Sequence, residues 1–252
     1  MKKLIATLLL ILNFSLVFGQ GIKPEYERVI SDFINCVKSG NRKKLADKIA
    51  FPFERQYPIP DIKNKTEFLR RYKEVFDDQL IKMILDSKPS ADWTDVGWRG
   101  IMLFRGDLWL DYDGRLVAVN YQSEAEKKKR TALIEMEKNQ LHRSIKQFEI
   151  PVQLLETSKF KIRIDDLGEG NYRYASWSLK NKMSDQPDLI LKNGKFISEG
   201  SGGNHRFEFK SGDYVYDCLI MVMRGKDTPP AMLTIYKGDK EILSQAAKVI
   251  KK

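Results

Sequence analysis

A chain of 252 residues exceeds the usual size of one domain, so two domains are the natural expectation. Its 44 Lys and Arg outnumber 34 Asp and Glu, giving a formal charge of +10 and a surface suited to anionic partners. Two cysteines alone do not make a structural zinc site, and two histidines leave few places for a histidine-dependent active site.

In chain order, Met1-Lys2-Lys3, the apolar run Leu4 to Phe18 and the segment Val17-Phe18-Gly19 form the three-part pattern of an export signal. Cleavage after Gly19 would leave Gln20 first. The run is too short to span a bilayer comfortably and no second one follows, so a soluble periplasmic or secreted protein without stable membrane insertion is expected. Loss of Lys2 and Lys3, with no acid in that segment, lowers +10 to +8. Export also turns the expectation away from nucleic acid and toward anionic envelope polymers or an acidic protein. The two cysteines permit one disulfide in an exported chain without requiring it; Cys36 lies in a helical pattern and Cys218 in a strand pattern, which favours two buried free thiols.

Tyr26, Val29, Ile30, Phe33 and Val37 recur at helical spacing after Pro24, and Gly40 stops that helix. A short helix follows over Arg42 to Ile49, then an extended path through Phe51-Pro52-Phe53 and Tyr57-Pro58-Ile59-Pro60. Asn64 and Glu67 have capping-box spacing, and Phe68, Leu69, Tyr72, Val75, Phe76, Leu80, Met83 and Ile84 predict one helix with a wide apolar stripe that ends at Pro89. Gly97 to Tyr121 reads as antiparallel strands, with Asp113-Gly114 as a hairpin turn and Arg105-Gly106-Asp107 as a second turn or a bulge.

This order of helices followed by the stretch GWRGIMLFRGDLWLDYDGRLVAVN resembles the NTF2-like family of cystatin-like folds. The resemblance covers about 100 residues, Asn64 to Ile84 and Gly97 to Asn120 most closely, and concerns fold more than chemistry. It implies an α+β domain in which a cone of helices packs on a curved antiparallel sheet. The open end of such a cone often forms a pocket, which Tyr72, Trp98, Met102, Trp109 and Tyr121 would line, with Asp107 and Arg105 at the rim.

Ser123 to Phe148 is a charged connecting helix with Ile134, Leu141, Ile145 and Phe148 near one face, and Pro151 marks a change of pattern. Beyond it, Phe160, Ile162 and Ile164 alternate, YRYASWSL spans Tyr172 to Leu179, and Asn193-Gly194 separates two apparent strands. Strands also recur at Tyr214 to Met223, Met232 to Tyr236 and Glu241 to Leu243, which predicts a small all-β sandwich or barrel. YRYASW and GSGGN resemble segments of uncharacterised exported bacterial proteins. The expected layout is a signal over 1–19, an NTF2-like domain over 20–122, a connecting helix over 123–150 and an all-β domain over 151–252.

Chemical motifs are few. GSGGNH, ending at His205, lacks the Gly-Lys-Ser/Thr of a phosphate loop. Asp111-Tyr112-Asp113-Gly114 lacks the later ligands of a calcium loop, and Asp165-Asp166 before Gly168 reads as turn chemistry. No cofactor or metal is expected. Tyr172, Tyr174, Trp177, His205 and Arg206 would offer a second, aromatic and basic surface. The expected function is a non-enzymatic binding or interaction protein whose partner is a protein, a polyanion or a small molecule. The alternatives are an enzyme that uses the cone pocket and an inhibitor of an envelope hydrolase acting through the GSGGNH loop.

Overall fold

A computed structural model describes residues 22–251; the expected export signal and cleavage site lie outside them. Five helices come first: α1 (Pro24–Lys38), α2 (Arg42–Ala46), α3 (Lys65–Val75), α4 (Asp78–Asp86) and α5 (Pro89–Asp92). Four short strands follow, β1 (Trp93–Asp95), β2 (Ile101–Leu103), β3 (Leu108–Leu110) and β4 (Leu116–Val119), and then the helix α6 (Glu124–Gln140). The remainder is β5 (Ile150–Glu156), β6 (Phe160–Asp166), β7 (Tyr172–Ser178), β8 (Leu189–Glu199), β9 (Asn204–Ser211), β10 (Tyr214–Ile220), β11 (Ala231–Lys237) and β12 (Lys240–Lys251). These elements gather into two compact units, one from residues 22–50 together with 78–121, the other from 51–77 together with 122–251.

In the first unit, β1 to β4 form an antiparallel meander. Period-two alternation gives each strand a buried side: Ile101, Leu103, Leu108 and Leu110 are fully buried, while Met102 and Trp109, opposite one another, share the other face. Pro24 opens α1 with Glu25 and Glu27 in its first turn, where the helix dipole favours carboxylates. Its apolar side meets the sheet region through Phe33, edge-on to Trp93 at 6.3 Å, and Tyr26, stacked on Tyr112 at 4.7 Å. Gly114 closes the β3–β4 turn at φ 77, and a Cβ there would lie 3.0 Å from Val29, so both backbone and space call for glycine.

In the second unit, β5 to β12 run as a sequential antiparallel meander that closes when β12 pairs with β5. Closure leaves no free sheet edge along the paired length. The interior is filled by one cluster that includes Ile162, Ile164, Tyr174, Phe207, Phe209 and Leu233. Each aromatic ring placed there contributes about 1.5–3 kcal/mol of burial. The seam between β12 and β5 is short, with residue pairs Lys248–Glu156, Val249–Leu155 and Lys251–Leu154 and an irregularity after Val249. By contrast, β10 and β11 pair along seven residues, Tyr214 to Ile220.

A second cluster lies between α6, the turn after it and the barrel wall, where Ile134, Leu141, Ile145 and Phe148 pack with Ala175 and Trp177. Ser123 caps α6 by accepting from the Glu126 amide at 3.1 Å and donates its hydroxyl to the Glu74 carbonyl at 2.7 Å, tying α6 to α3.

The expected fold class is corrected by these findings. The chain is mostly β, with an eight-stranded closed barrel and a separate small four-stranded sheet, and is not a helix cone on a curved sheet followed by a sandwich. The first sheet has strands of three or four residues, too short to bend around helices. The long helical stripe is also divided. Phe76 leaves helical geometry at φ -110, ψ 92 with its ring stacked on Tyr72, and Asp78 starts α4 with a carboxylate in its first turn. Asn193-Gly194 does not turn the chain. Asn193 adopts φ 61 inside the continuous β8, where the pairing with β7 shifts between Tyr172 and Tyr174. A Cβ on Gly194 would fall 2.1 Å from the Phe209 ring, so the glycine makes room for that ring in the interior.

Candidate functional site

The loop from Glu54 to Asp61 is bound tightly to the rest of the barrel unit. The Arg55 guanidinium pairs with Glu126 at the start of α6, with both side chains almost wholly buried. The Arg55 amide donates to Asp61 Oδ1 at 2.9 Å, and Arg71 Nη1 on α3 donates to the Pro60 carbonyl at 2.7 Å. Tyr57 donates its hydroxyl to the Glu137 carboxylate at 2.6 Å. Prolines 58 and 60 restrict the backbone between these anchors. The loop is thereby a preformed wall rather than a flap.

Facing this wall is the end of the barrel. A cavity of about 740 Å³ opens between Tyr57, Pro58, Ile59 and Pro60 on one side and Ile220, Met221, Val222, Val249 and Ile250 on the other. Its charged groups are Glu54, Asp61 and Arg224. Val222 is 60% exposed and Ile250 48%, so both line the cavity with apolar surface that solvent can reach.

Two smaller cavities adjoin it. One of about 290 Å³ shares Tyr57 with the first and is lined mostly by polar groups, Glu137, Gln140, Arg163, Lys182 and Ser184, with Leu141, Leu154 and Met183. Another, of about 220 Å³, shares Leu154 and Met183 with the second and Ile250 with the first. Each has at least one residue of β5 or β12 in its lining. Their linings do not include Tyr174, Phe207 or Phe209, which fill the barrel interior.

Beneath the polar cavity lies a buried ionic cluster. Arg163 donates to Glu137 Oε2 at 3.1 Å and pairs with Asp165 at 2.7 Å; Arg173 Nη2 donates to Asp165 at 2.5 Å and to the Ile145 carbonyl at 2.7 Å. Phe148 takes the Arg163 guanidinium over its ring at 4.8 Å. Asp165 is fully buried, so two guanidinium groups compensate its charge where water does not reach. Burial, reinforced by the hydrogen bond to Glu137, raises the Tyr57 pKa, so the phenol stays protonated and remains a donor. The linings contain no histidine or cysteine. Among the described residues, no group of three His, Cys, Asp or Glu stands ready for a metal ion.

The residues singled out from the sequence fall in several places. Met102 and Trp109 do come together, as cross-strand partners on the half-buried face of the small sheet, with Arg99 5.7 Å above the Trp109 ring. Asp107 sits in the β2–β3 turn, where its carbonyl accepts from the amides of Asn120 and Tyr121 at 2.9 and 3.2 Å. Arg105 is exposed in the same turn. Trp98 is 63% exposed on a 3-10 turn, while Tyr72 is buried on α3, in the other unit. Tyr174 is inside the barrel and Trp177 beneath α6, on opposite faces of one strand. His205 points with Phe207 toward the aromatic group that includes Phe196, its Nδ1 2.9 Å from the Gly203 carbonyl. Arg206, on the opposite face, pairs with Glu199 at 3.2 Å and Asp217 at 3.5 Å.

Tyr57, Glu137, Arg163 and Lys182 were not singled out from the sequence. The prolines around Tyr57 marked its loop, but the pairing with Glu137 joins positions 80 residues apart and leaves no local pattern. Asp165 pairs through space with Arg173 directly opposite on β7, whereas in sequence it reads as the first half of an Asp-Asp turn. The chain matches no protein-family model, no curated protein and no solved structure.

Proposed function

We propose that the protein is a non-enzymatic binding protein that takes an elongated, largely apolar small molecule along the barrel seam. The observation that carries this reading is the cavity of about 740 Å³ between the Tyr57–Pro60 wall and Ile220, Val222, Val249 and Ile250. Its size is within the range of ligand pockets, about 300–1,000 Å³, and its lining has their character, apolar walls with a few polar groups. A wall held by the Arg55–Glu126 pair and the Tyr57–Glu137 hydrogen bond is ordered before a ligand arrives, which lowers the entropic cost of binding. With no histidine or cysteine in the linings, the groove holds a ligand better than it attacks one.

Titration with a dansyl-labelled undecanoic acid, followed by the blue shift of the dye, tests the reading. Val222→Glu and Ile250→Glu are surface changes, and each is expected to weaken binding about tenfold or more, the equivalent of losing ~1.5–3 kcal/mol of apolar contact. Unchanged affinity in both variants would refute this use of the groove. Export belongs to the same proposal and is supported by the charged, apolar and small-residue segments of Met1 to Gly19. N-terminal sequencing of the protein recovered outside the cytoplasm should begin at Gln20; recovery of an intact Met1 terminus there would overturn that part.

A further inference from the structure

The adjoining cavities differ in chemistry, and the difference specifies the ligand more closely. The largest is walled by Pro58, Ile59, Ile220, Val222 and Ile250, whereas the one behind Tyr57 presents Gln140, Arg163, Lys182 and Ser184. The smallest, with Leu154, Leu155, Met183 and Ile250, shares walls with both. One molecule following this path meets apolar surface over most of its length and a polar chamber at one end.

The sign of the charge it should carry at that end follows from what is already paired. Glu137 accepts from Tyr57 and from Arg163, and Asp165 lies between Arg163 and Arg173, so these two carboxylates and two guanidinium groups balance. In the smallest cavity Glu156 and Lys161 are cross-strand partners and also balance. The Lys182 ammonium has no carboxylate within ion-pair distance among the described residues. Asp185 accepts from the Lys182 backbone amide at 2.8 Å and does not line the chamber. The chamber therefore has one uncompensated positive charge together with the donor groups of Gln140 and Ser184.

Resting on the groove reading above, we propose that the ligand is an anionic amphiphile: its single carboxylate or similar oxyanion enters the chamber at Lys182, and its apolar chain passes Leu154 and Met183 into the large cavity. Tyr57 stands at the junction, giving its ring to the apolar path and its hydroxyl to Glu137. Glu137 is thus held away from the incoming anion by the hydrogen bonds it already accepts.

The test compares dansyl-undecanoic acid with its methyl ester, on the full protein and on Lys182→Gln, an exposed position whose replacement leaves the fold intact. The acid should bind about tenfold more tightly than the ester to the unaltered protein, the scale of one charge-assisted contact. Lys182→Gln should remove that preference by weakening the acid far more than the ester. Equal affinity of acid and ester for the unaltered protein overturns the anionic ligand while leaving the apolar groove standing. A preference that survives Lys182→Gln overturns the chamber as its cause. Failure of both probes to bind removes the groove reading and this inference together.

Discussion

Gly194→Ala is the sharpest test of how the barrel is filled. A methyl at that position would lie 2.1, 2.4 and 2.9 Å from three carbons of the Phe209 ring, where carbon atoms prefer about 3.5–4.0 Å. Phe209 is fully buried, with Tyr174 5.5 Å away, so the ring has little room to retreat. Two limits bound the effect. If the interior relaxes around the extra carbon, overpacking costs about 1–3 kcal/mol. If Phe209 is expelled, the loss approaches the ~3–5 kcal/mol of a large-to-small core substitution. The positive-φ residue of the bulge is Asn193, so the effect at Gly194 is mainly one of space. Urea unfolding of Gly194→Ala, of Phe209→Leu and of the double variant measures the coupling: the double variant should be less destabilised than the sum of the singles. Stability of Gly194→Ala within ~0.5 kcal/mol of the parent, the range of an ordinary surface change, would refute the packing argument.

Other expectations follow from the same structure. Asp165→Asn leaves the buried guanidinium groups of Arg163 and Arg173 without their common carboxylate and should cost about 3–5 kcal/mol in denaturant unfolding; a loss below ~1 kcal/mol would mean the cluster is not electrostatically coupled. Tyr112 donates to Asp95 at 2.5 Å, and this hydrogen bond raises its pKa to about 12. Since the folded value lies above the ordinary one of ~10, the associated stability is present below pH ~10 and is lost as pH rises through about 12. Several phenols, Tyr57 and Tyr174 among them, titrate late, so the difference between the alkaline absorbance titrations of the parent and of Asp95→Asn should correspond to one phenol moving down; no difference would remove the cause given. Cys36 and Cys218 are both buried free thiols whose pKa burial raises, so a thiol reagent should modify them slowly in the native protein and rapidly in denaturant; fast native reaction at either would contradict its burial.

What was legible in the sequence was local. Alternation of Phe160, Ile162 and Ile164 marks β6, the Tyr172–Leu179 stretch marks β7, and Gly114 marks the turn between β3 and β4. What was not legible depends on partners distant in the chain. Pairing of Val249 with Leu155 closes the barrel, and nothing near either residue announces it. The apolar stripe from Phe68 to Ile84 has one helical period but serves two units, and the helix breaks at Phe76, whose ring stacks on Tyr72. Asn193-Gly194 carries the composition of a tight turn, yet neighbouring strands on both sides hold it in line. The candidate groove was the least visible feature, since its walls come from the proline loop, α6 and four strands.

The brevity of the β5–β12 seam also bears on how the chain is assembled as it is made. Every other neighbouring pair of barrel strands is adjacent in sequence and can zip as a hairpin, but β5 must wait for β12, the last of the eight to emerge from the ribosome. Until then β5 is an open edge able to accept a foreign strand. A nascent chain halted before Lys240 would present two such edges, and at that stage α6 and the proline loop, already synthesised, are the parts of this unit available to shield one of them.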